Sequence, residues 1–135
     1  MSNLEKHLIT REESKLLATE YEKSNYTAIN EKRPAKKPDS KSYIYDLDVL
    51  QDYINLIREG MEKMGIKNKG IRISLGKYPD NVFDPRLDPL YNGYQTIFFS
   101  PENMDSSQEK ESLRRGDDDT EELPNLNYGQ LCPPY

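Results

Sequence analysis

A six-residue segment, DPRLDP at positions 84–89, combines charged side chains and prolines more densely than its surroundings. Each Asp-Pro step holds the residue before proline in an extended or turn conformation. Residues two apart in an extended run share one side of the chain, so Asp84, Arg86 and Asp88 can form a carboxylate–guanidinium cluster. Such a cluster could bind a ligand or a partner's charge. The interpretation we favour is local: the aspartates cap turns and Arg86 pairs nearby.

Tyrosine is the second compositional signal. The chain has ten tyrosines, three phenylalanines and no tryptophan. A tyrosine gives a large contact area with a polar tip, which suits partly exposed positions at interfaces. Tyr78, Tyr91 and Tyr94 flank the loop at 79–93 and, with Arg72 and the charged cluster, are the candidate ligand or partner contacts. A small domain that uses tyrosine at the edges of a thin core would explain the same residues.

Residues suited to covalent or metal chemistry are few and far apart. The single histidine, His7, and the single cysteine, Cys132, lie near opposite ends of the chain. Nucleophilic catalysis needs a base beside the nucleophile, and metal sites need closely spaced ligands. The seven glycines form no phosphate-binding motif. The sequence therefore predicts no catalytic residue, no metal site and no cofactor, and it favours a protein that is not an enzyme.

Charge and hydrophobicity narrow the possible partners. The net charge is −5, divided as +3 over residues 1–78 and −8 over residues 79–135. Binding to a phosphate backbone needs a dense cationic face, so we expect no nucleic-acid partner. No apolar run approaches the roughly 20 residues that span a bilayer. One cysteine and a charged, signal-free N-terminal stretch lead us to expect a cytoplasmic protein.

Two helices are predicted from capping residues and apolar spacing. Thr10 and Glu13 form a capping box before a narrow apolar stripe that includes Leu16 and Leu17. After a proline-containing loop at 30–42, Asp46 or Asp48 caps a longer helix that ends at a glycine. The apolar stripe of this longer helix is wide enough to cover a sheet; its members are Leu47, Leu50, Tyr53, Ile54, Ile57, Met61 and Met64.

Two strands follow the longer helix. Residues 71–75 alternate so that Ile71, Ile73 and Leu75 share one face, which we expect to be buried under the helix. A second strand at 94–100 follows an Asn-Gly turn and most simply pairs antiparallel with the first. The predicted fold class is α+β, with two helices, the longer of which packs on a small antiparallel sheet.

The predicted organisation has three parts. Residues 1–104 form a single α+β domain, and residues 105–122 form an acidic, mobile segment that is too polar to order itself. Residues 123–135 are a C-terminal tail that regains apolar side chains. We expect this tail to dock on its own domain in an extended form, because a strand edge offers unpaired backbone groups.

Short motifs in this chain resemble a group of small bacterial proteins, typical of bacteroidete-type genomes, with no assigned activity. The shared features are an I-R-I-x-x-G strand at 71–76, the strand at 94–99 and an L-C-P-P motif near the C-terminus. The resemblance implies a shared α+β fold and no particular chemistry. The leading functional hypothesis is a protein–protein interaction module. The alternative is a small-molecule-binding or hydrolytic domain that uses the charged residues around the 79–93 loop.

Overall fold

The computed structural model describes residues 3–81, 84–105 and 122–134. The predicted mobile segment at 105–122 lies outside the described residues except at its two ends. Contacts divide the chain into two compact units, Met1–Asp39 and Ser40–Tyr135. This division differs from the predicted single domain over 1–104, and it joins the C-terminal tail to the second unit.

The first unit is helical. It consists of a 3-10 turn at Leu4–His7, helix α1 at Arg11–Tyr21, a π-helical stretch at Glu22–Tyr26 and helix α2 at Thr27–Asn30. The capping box is confirmed: Thr10 Oγ1 accepts from the Glu13 amide at 3.1 Å, and Glu13 Oε1 accepts from the Thr10 amide at 2.7 Å. The predicted stripe is not a core, because Leu16 and Leu17 are both exposed.

The described residues of the second unit form one long helix and four strands. Its elements are β1 at Ser42–Ile44, α3 at Leu47–Lys63, β2 at Lys69–Lys77, β3 at Gln95–Asn103 and β4 at Gln130–Cys132. Strand β2 pairs antiparallel with β3, and β1 pairs antiparallel with β4, so the strands that the structure describes form two two-stranded sheets. The α+β fold class is confirmed.

Helix α3 begins and ends where its sequence indicates. The Asp46 carboxylate accepts from two amides of the first turn, at 2.8 and 3.1 Å, which satisfies donors that have no partner within the helix. Gly65 follows the helix with a φ of +78°, a conformation that glycine adopts at little cost. The buried face is narrower than predicted: it consists of Tyr53, Ile57 and Met61, and Leu47 is 79% exposed.

The first core forms where α3 packs on β3. Tyr53, Ile57 and Met61 join Ile66 and Phe99 in one cluster. Tyr53 Oη hydrogen-bonds to the carbonyl oxygens of Phe99 and Pro124, at 3.2 and 2.9 Å. Partly buried side chains complete this cluster; they are Tyr45, Leu50, Ile97, Leu123 and Leu126.

The expected burial of one face of β2 is wrong. Ile71, Ile73 and Leu75 are 39%, 59% and 78% exposed. In the antiparallel register Ile73 lies opposite Phe99, so their side chains share a face of the sheet. The helix covers that face over β3 and leaves it open over β2.

The C-terminal residues contribute a strand and a bridge to the second unit. In the β1–β4 pair, Leu131 lies opposite Tyr43 and has no exposed surface. Leu126 forms a separate antiparallel bridge with Phe99, in which each amide donates to the other carbonyl at 2.8 and 2.9 Å. Residues 123–134 thus lie along the outer side of β3 and along β1.

Candidate functional site

The charged cluster predicted in the long loop is a local ion pair. The Arg86 guanidinium donates to both carboxylate oxygens of Asp84 at 3.0 and 3.2 Å, and the Arg86 amide donates to the same carboxylate at 2.8 Å. These hydrogen bonds lower the pKa of Asp84 and raise that of Arg86. Asp88 instead caps a 3-10 turn by accepting from the Leu90 amide at 3.0 Å.

The three predicted contact tyrosines are buried. Tyr78, Tyr91 and Tyr94 are 3%, 8% and 6% exposed and form a second core cluster with Leu87 and Leu131. The rings of Tyr78 and Tyr91 stack with centroids 6.4 Å apart. Burial raises the pKa of Tyr78. These side chains hold the long loop in place.

Arg72 lies apart from the other candidates. Its guanidinium contacts the Glu102 carboxylate of the neighbouring strand at 2.9 Å. In the β2–β3 register it lies opposite Ser100, on the face of the sheet that α3 does not cover. The structure therefore brings Asp84 and Arg86 together and leaves Arg72 in a separate cross-strand ion pair.

A groove of about 390 Å³ lies beside the long loop and contains two of the predicted residues, Tyr78 and Arg86. The Arg86 guanidinium stands 4.6 Å from the centroid of the Tyr128 ring, a cation–π distance, and donates to Tyr128 Oη at 3.2 Å. Tyr128 has a φ of +66°, which is uncommon for a residue with a side chain. The remaining lining residues are Gly76, Lys77, Thr96, Phe98, Asn125 and Asn127.

The polar groups at the base of this groove bond to one another. Asn127 donates to the Ile97 carbonyl at 2.6 Å and accepts from Tyr78 Oη. Thr96 Oγ1 accepts from the side-chain Nδ2 of Asn127 at 3.3 Å and lies 3.4 Å from Tyr78 Oη. The groove can take an apolar or aromatic group, whereas its deepest polar atoms are already used within the protein.

The hydrogen-bonding pattern of the β2–β3 pair determines which backbone groups of β2 face outward. The Tyr78 amide donates to the Tyr94 carbonyl at 2.9 Å, and the Met104 amide donates to the Asn68 carbonyl at 3.0 Å. Both pairs continue the strand register, so even-numbered residues of β2 bond to β3. Hydrogen-bonded and non-hydrogen-bonded pairs alternate in an antiparallel ladder.

The odd-numbered residues of β2 therefore direct their amides and carbonyls away from β3. The backbone of Phe99 follows the same pattern. Phe99 lies opposite Ile73, and its amide and carbonyl bond to Leu126, on the side of β3 that faces away from β2. Among the described residues, no strand pairs with the outer side of β2. Ile71, Ile73 and Leu75 thus combine an outward-facing backbone with an exposed aliphatic side chain. We call the outer side of β2, with these three side chains, the β2 edge.

An apolar groove adjoins one end of the β2 edge. It has a volume of about 210 Å³, and Ile54, Ile57, Met61, Gly70 and Ile71 form its apolar wall. Two basic residues, Arg58 and Lys69, also line this groove. The Lys69 ammonium contacts the Glu62 carboxylate at 2.8 Å.

The described part of the chain offers neither a metal-binding cluster nor a membrane-spanning helix. Within residues 3–81, 84–105 and 122–134, no cluster of three or more His, Cys, Asp or Glu side chains could hold a metal ion. In the same part of the chain, no helix has the length and apolar character needed to cross a bilayer. Comparison with models of known families, with curated proteins and with solved structures finds no match.

The β2 edge is the feature that the sequence analysis missed. A signal for it was present in the order of residues 69–77, KGIRISLGK, in which lysines stand at both ends of an alternating apolar strand. Lysine is a residue that proteins place on exposed sheet edges, where it opposes uncontrolled strand pairing. The same alternation is equally typical of a half-buried strand, so the sequence alone does not distinguish an exposed row from a buried one.

Proposed function

We propose that this protein is a non-enzymatic protein–protein interaction module that binds an extended segment of another protein along the β2 edge. The observation that carries the proposal is the coincidence of outward-facing backbone groups with exposed Ile71, Ile73 and Leu75. A bound strand gains main-chain hydrogen bonds from such an edge, and alternate side chains supply specificity. Exposed aliphatic rows of this kind are typical of interaction sites.

A phage-displayed library of random nine-residue peptides, selected on the immobilised protein, tests the proposal. We expect enrichment of peptides with apolar residues at alternate positions, because only these place three apolar side chains beside Ile71, Ile73 and Leu75. Ile73→Asp should weaken binding of the selected peptides by about tenfold or more, since it puts a charge in the centre of the apolar row.

Ile44→Asp is the matched control for that experiment. Ile44 lies on β1 and is 56% exposed, close to the 59% of Ile73, so both variants add one charge to an exposed strand position. The control should retain the binding of the selected peptides. A selection without a common pattern, or equal loss of binding in both variants, would contradict the proposal.

A second candidate function is small-molecule binding in the groove beside the long loop. The specific observation is the Arg86–Tyr128 pair, in which a cation lies over an aromatic ring that the backbone holds at positive φ. Strained residues cluster at ligand sites more often than elsewhere. Screening a fragment library by NMR, with Tyr128→Ala as the control, tests this candidate: binding lost in the variant supports it, and no hit in the groove rejects it.

The proposal includes a cytoplasmic location and a bacterial source. A single cysteine, Cys132, suits a reducing compartment, where disulfides are rare. The bacterial source rests only on the resemblance of the I-R-I-x-x-G strand and the L-C-P-P motif to small bacterial proteins. Fractionation of the native cells, followed by immunodetection, tests the location.

A further inference from the structure

We infer that the segment bound at the β2 edge is an alternating apolar strand with an acidic residue at each end. This inference rests on the proposed function and specifies the chemistry of the partner. It follows from the charges that stand at the two ends of the apolar row. Directly opposite residues in neighbouring strands have their side chains in contact range, so each charge of β2 faces one partner position.

Both ends of the row are basic. At one end lies Lys69, with Arg58 beside it on the wall of the apolar groove. Glu62 compensates one of these two cations, which leaves this end with one net positive charge. At the other end lies Lys77, which is exposed and has no ion-pair partner among the described residues.

A nine-residue partner strand can match all of these positions. Apolar side chains at its third, fifth and seventh positions would lie beside Ile71, Ile73 and Leu75. Acidic side chains at its first and ninth positions would then lie beside Lys69 and Lys77. Because the acids stand at both ends, the match holds for either direction of the bound strand.

A second copy of this chain fits the edge poorly. The antiparallel register that matches all three apolar residues places Ile73 beside its own copy and Ile71 beside Leu75. The same register places Lys69 opposite Lys77 at both ends, and like charges directly opposite one another are destabilising. Shifting the register by two residues loses part of the apolar match.

The chain's own segment at 106–121 also lacks the required composition. It contains six acidic residues but a single aliphatic one, Leu113, so it can supply charge without the three apolar side chains. An extended strand from another protein is the occupant that satisfies both the apolar row and the two basic ends.

Three synthetic peptides, measured by fluorescence anisotropy, test the inference on the full chain. They share the core T-V-T-V-T-V-T and carry glutamate, glutamine or lysine at both ends. We expect the glutamate peptide to bind about tenfold more tightly than the lysine peptide, with the glutamine peptide between them, because glutamate meets opposite charge at both ends of the row and lysine meets like charge. The preference should weaken as salt is added.

Charge reversal in the protein provides the decisive comparison. The double variant Arg58→Glu, Lys77→Glu should reverse the order and favour the lysine peptide, and both positions are exposed, so the fold should be retained. The double variant Lys15→Glu, Lys63→Glu is the control for net charge, because it makes the same change of four charges at two exposed positions. Lys15 lies on α1, and Lys63 lies nine residues after Ile54, on the opposite side of α3 at 100° per residue. This control should keep the wild-type order.

The possible failures are distinguishable. Equal binding of the three peptides, or an unchanged order in the double variant Arg58→Glu, Lys77→Glu, would overturn the inference and leave the proposed function in place. Binding of none of the peptides, together with an empty phage selection, would overturn both. A concentration-dependent dimer that Ile73→Asp abolishes would show that the occupant is a second copy, which also overturns the inference.

Discussion

At the scale of single residues, burial changes the acidity of the Tyr45 phenol. Burial raises the pKa of Tyr45 from 10.0 to about 12, although a hydrogen bond with the Gly129 backbone opposes the shift. The ring packs edge-on against Phe99, with centroids 5.2 Å apart. A Cβ at Gly129 would overlap the Tyr45 ring, so the absence of a side chain at 129 allows this close packing.

The raised pKa of Tyr45 predicts a loss of stability at alkaline pH. A phenol whose pKa is higher in the folded state contributes stability that is complete below its unfolded-state pKa and is lost as the pH rises through the folded-state pKa. The free energy of unfolding should therefore fall between about pH 10 and pH 12. Urea titrations across this range measure the slope.

Tyr45→Phe should reduce that slope. Tyr21→Phe removes one phenol from the first unit and is the matched control. Some slope should remain in Tyr45→Phe, because burial also raises the pKa values of Tyr53 and Tyr78. Identical slopes in Tyr45→Phe and the wild type would show that the Tyr45 phenol ionises equally easily in both states.

At the scale of elements, the relation of α3 to the sheet determines both the core and the proposed site. The buried residues of α3 recur every four positions and belong to one core cluster with Phe99 of β3. The neighbouring strand β2 extends past the cover of the helix and presents its aliphatic side chains to solvent. The same packing that stabilises the second unit thus leaves the β2 edge available for a partner.

Two alanine substitutions test this arrangement. Met61→Ala should cost about 2–5 kcal/mol, because the methionine is 1% exposed and its removal leaves a cavity. Ile73→Ala should cost less than about 1 kcal/mol, mainly through strand propensity, because its side chain is 59% exposed. Chemical denaturation of both variants gives the two values.

An equal, large cost of the two substitutions would contradict the structure, since it would require Ile73 to be buried under α3. Leu56→Ala is a further control on the helix. Leu56 lies on α3 but is 46% exposed, so its removal should be as mild as that of Ile73.

At the scale of the whole molecule, the C-terminal residues complete a core made from distant parts of the chain. Leu131 packs with Tyr78, Leu87, Tyr91 and Tyr94, and the Tyr91 hydroxyl accepts from the Leu131 amide at 3.2 Å. The long loop and the tail therefore support one another, and neither would bury its apolar side chains alone.

Removal of residues 123–135 should accordingly destabilise the second unit. Leu131→Ala alone should cost about 2–5 kcal/mol, because the side chain has no exposed surface. Gln130→Ala, at an exposed position of the same strand, should change stability by less than about 0.5 kcal/mol. Thermal unfolding followed by circular dichroism measures both, and a Leu131→Ala variant as stable as the wild type would contradict the burial of Leu131 in this core.

The sequence determined those features that depend on neighbours along the chain. The capping box at Thr10 needs only a side chain and an amide within three residues, so its position followed directly from the sequence. For the longer helix the sequence left Asp46 and Asp48 as alternatives, and the structure shows that Asp46 is the cap. The alternation in β2 and its antiparallel pairing with β3 also followed from local pattern. The α+β class rests on these local features.

Only the tertiary structure decided which surfaces are covered. Alternation in β2 shows that Ile71, Ile73 and Leu75 share a face, but whether a helix lies over that face depends on contacts between residues far apart in the chain. The same holds for three tyrosines, Tyr78, Tyr91 and Tyr94. The local sequence predicted them at a surface, whereas in the structure they are buried in a cluster with the distant Leu131. A strand pattern shows that one face is apolar, whereas the burial of that face depends on which other elements pack against it.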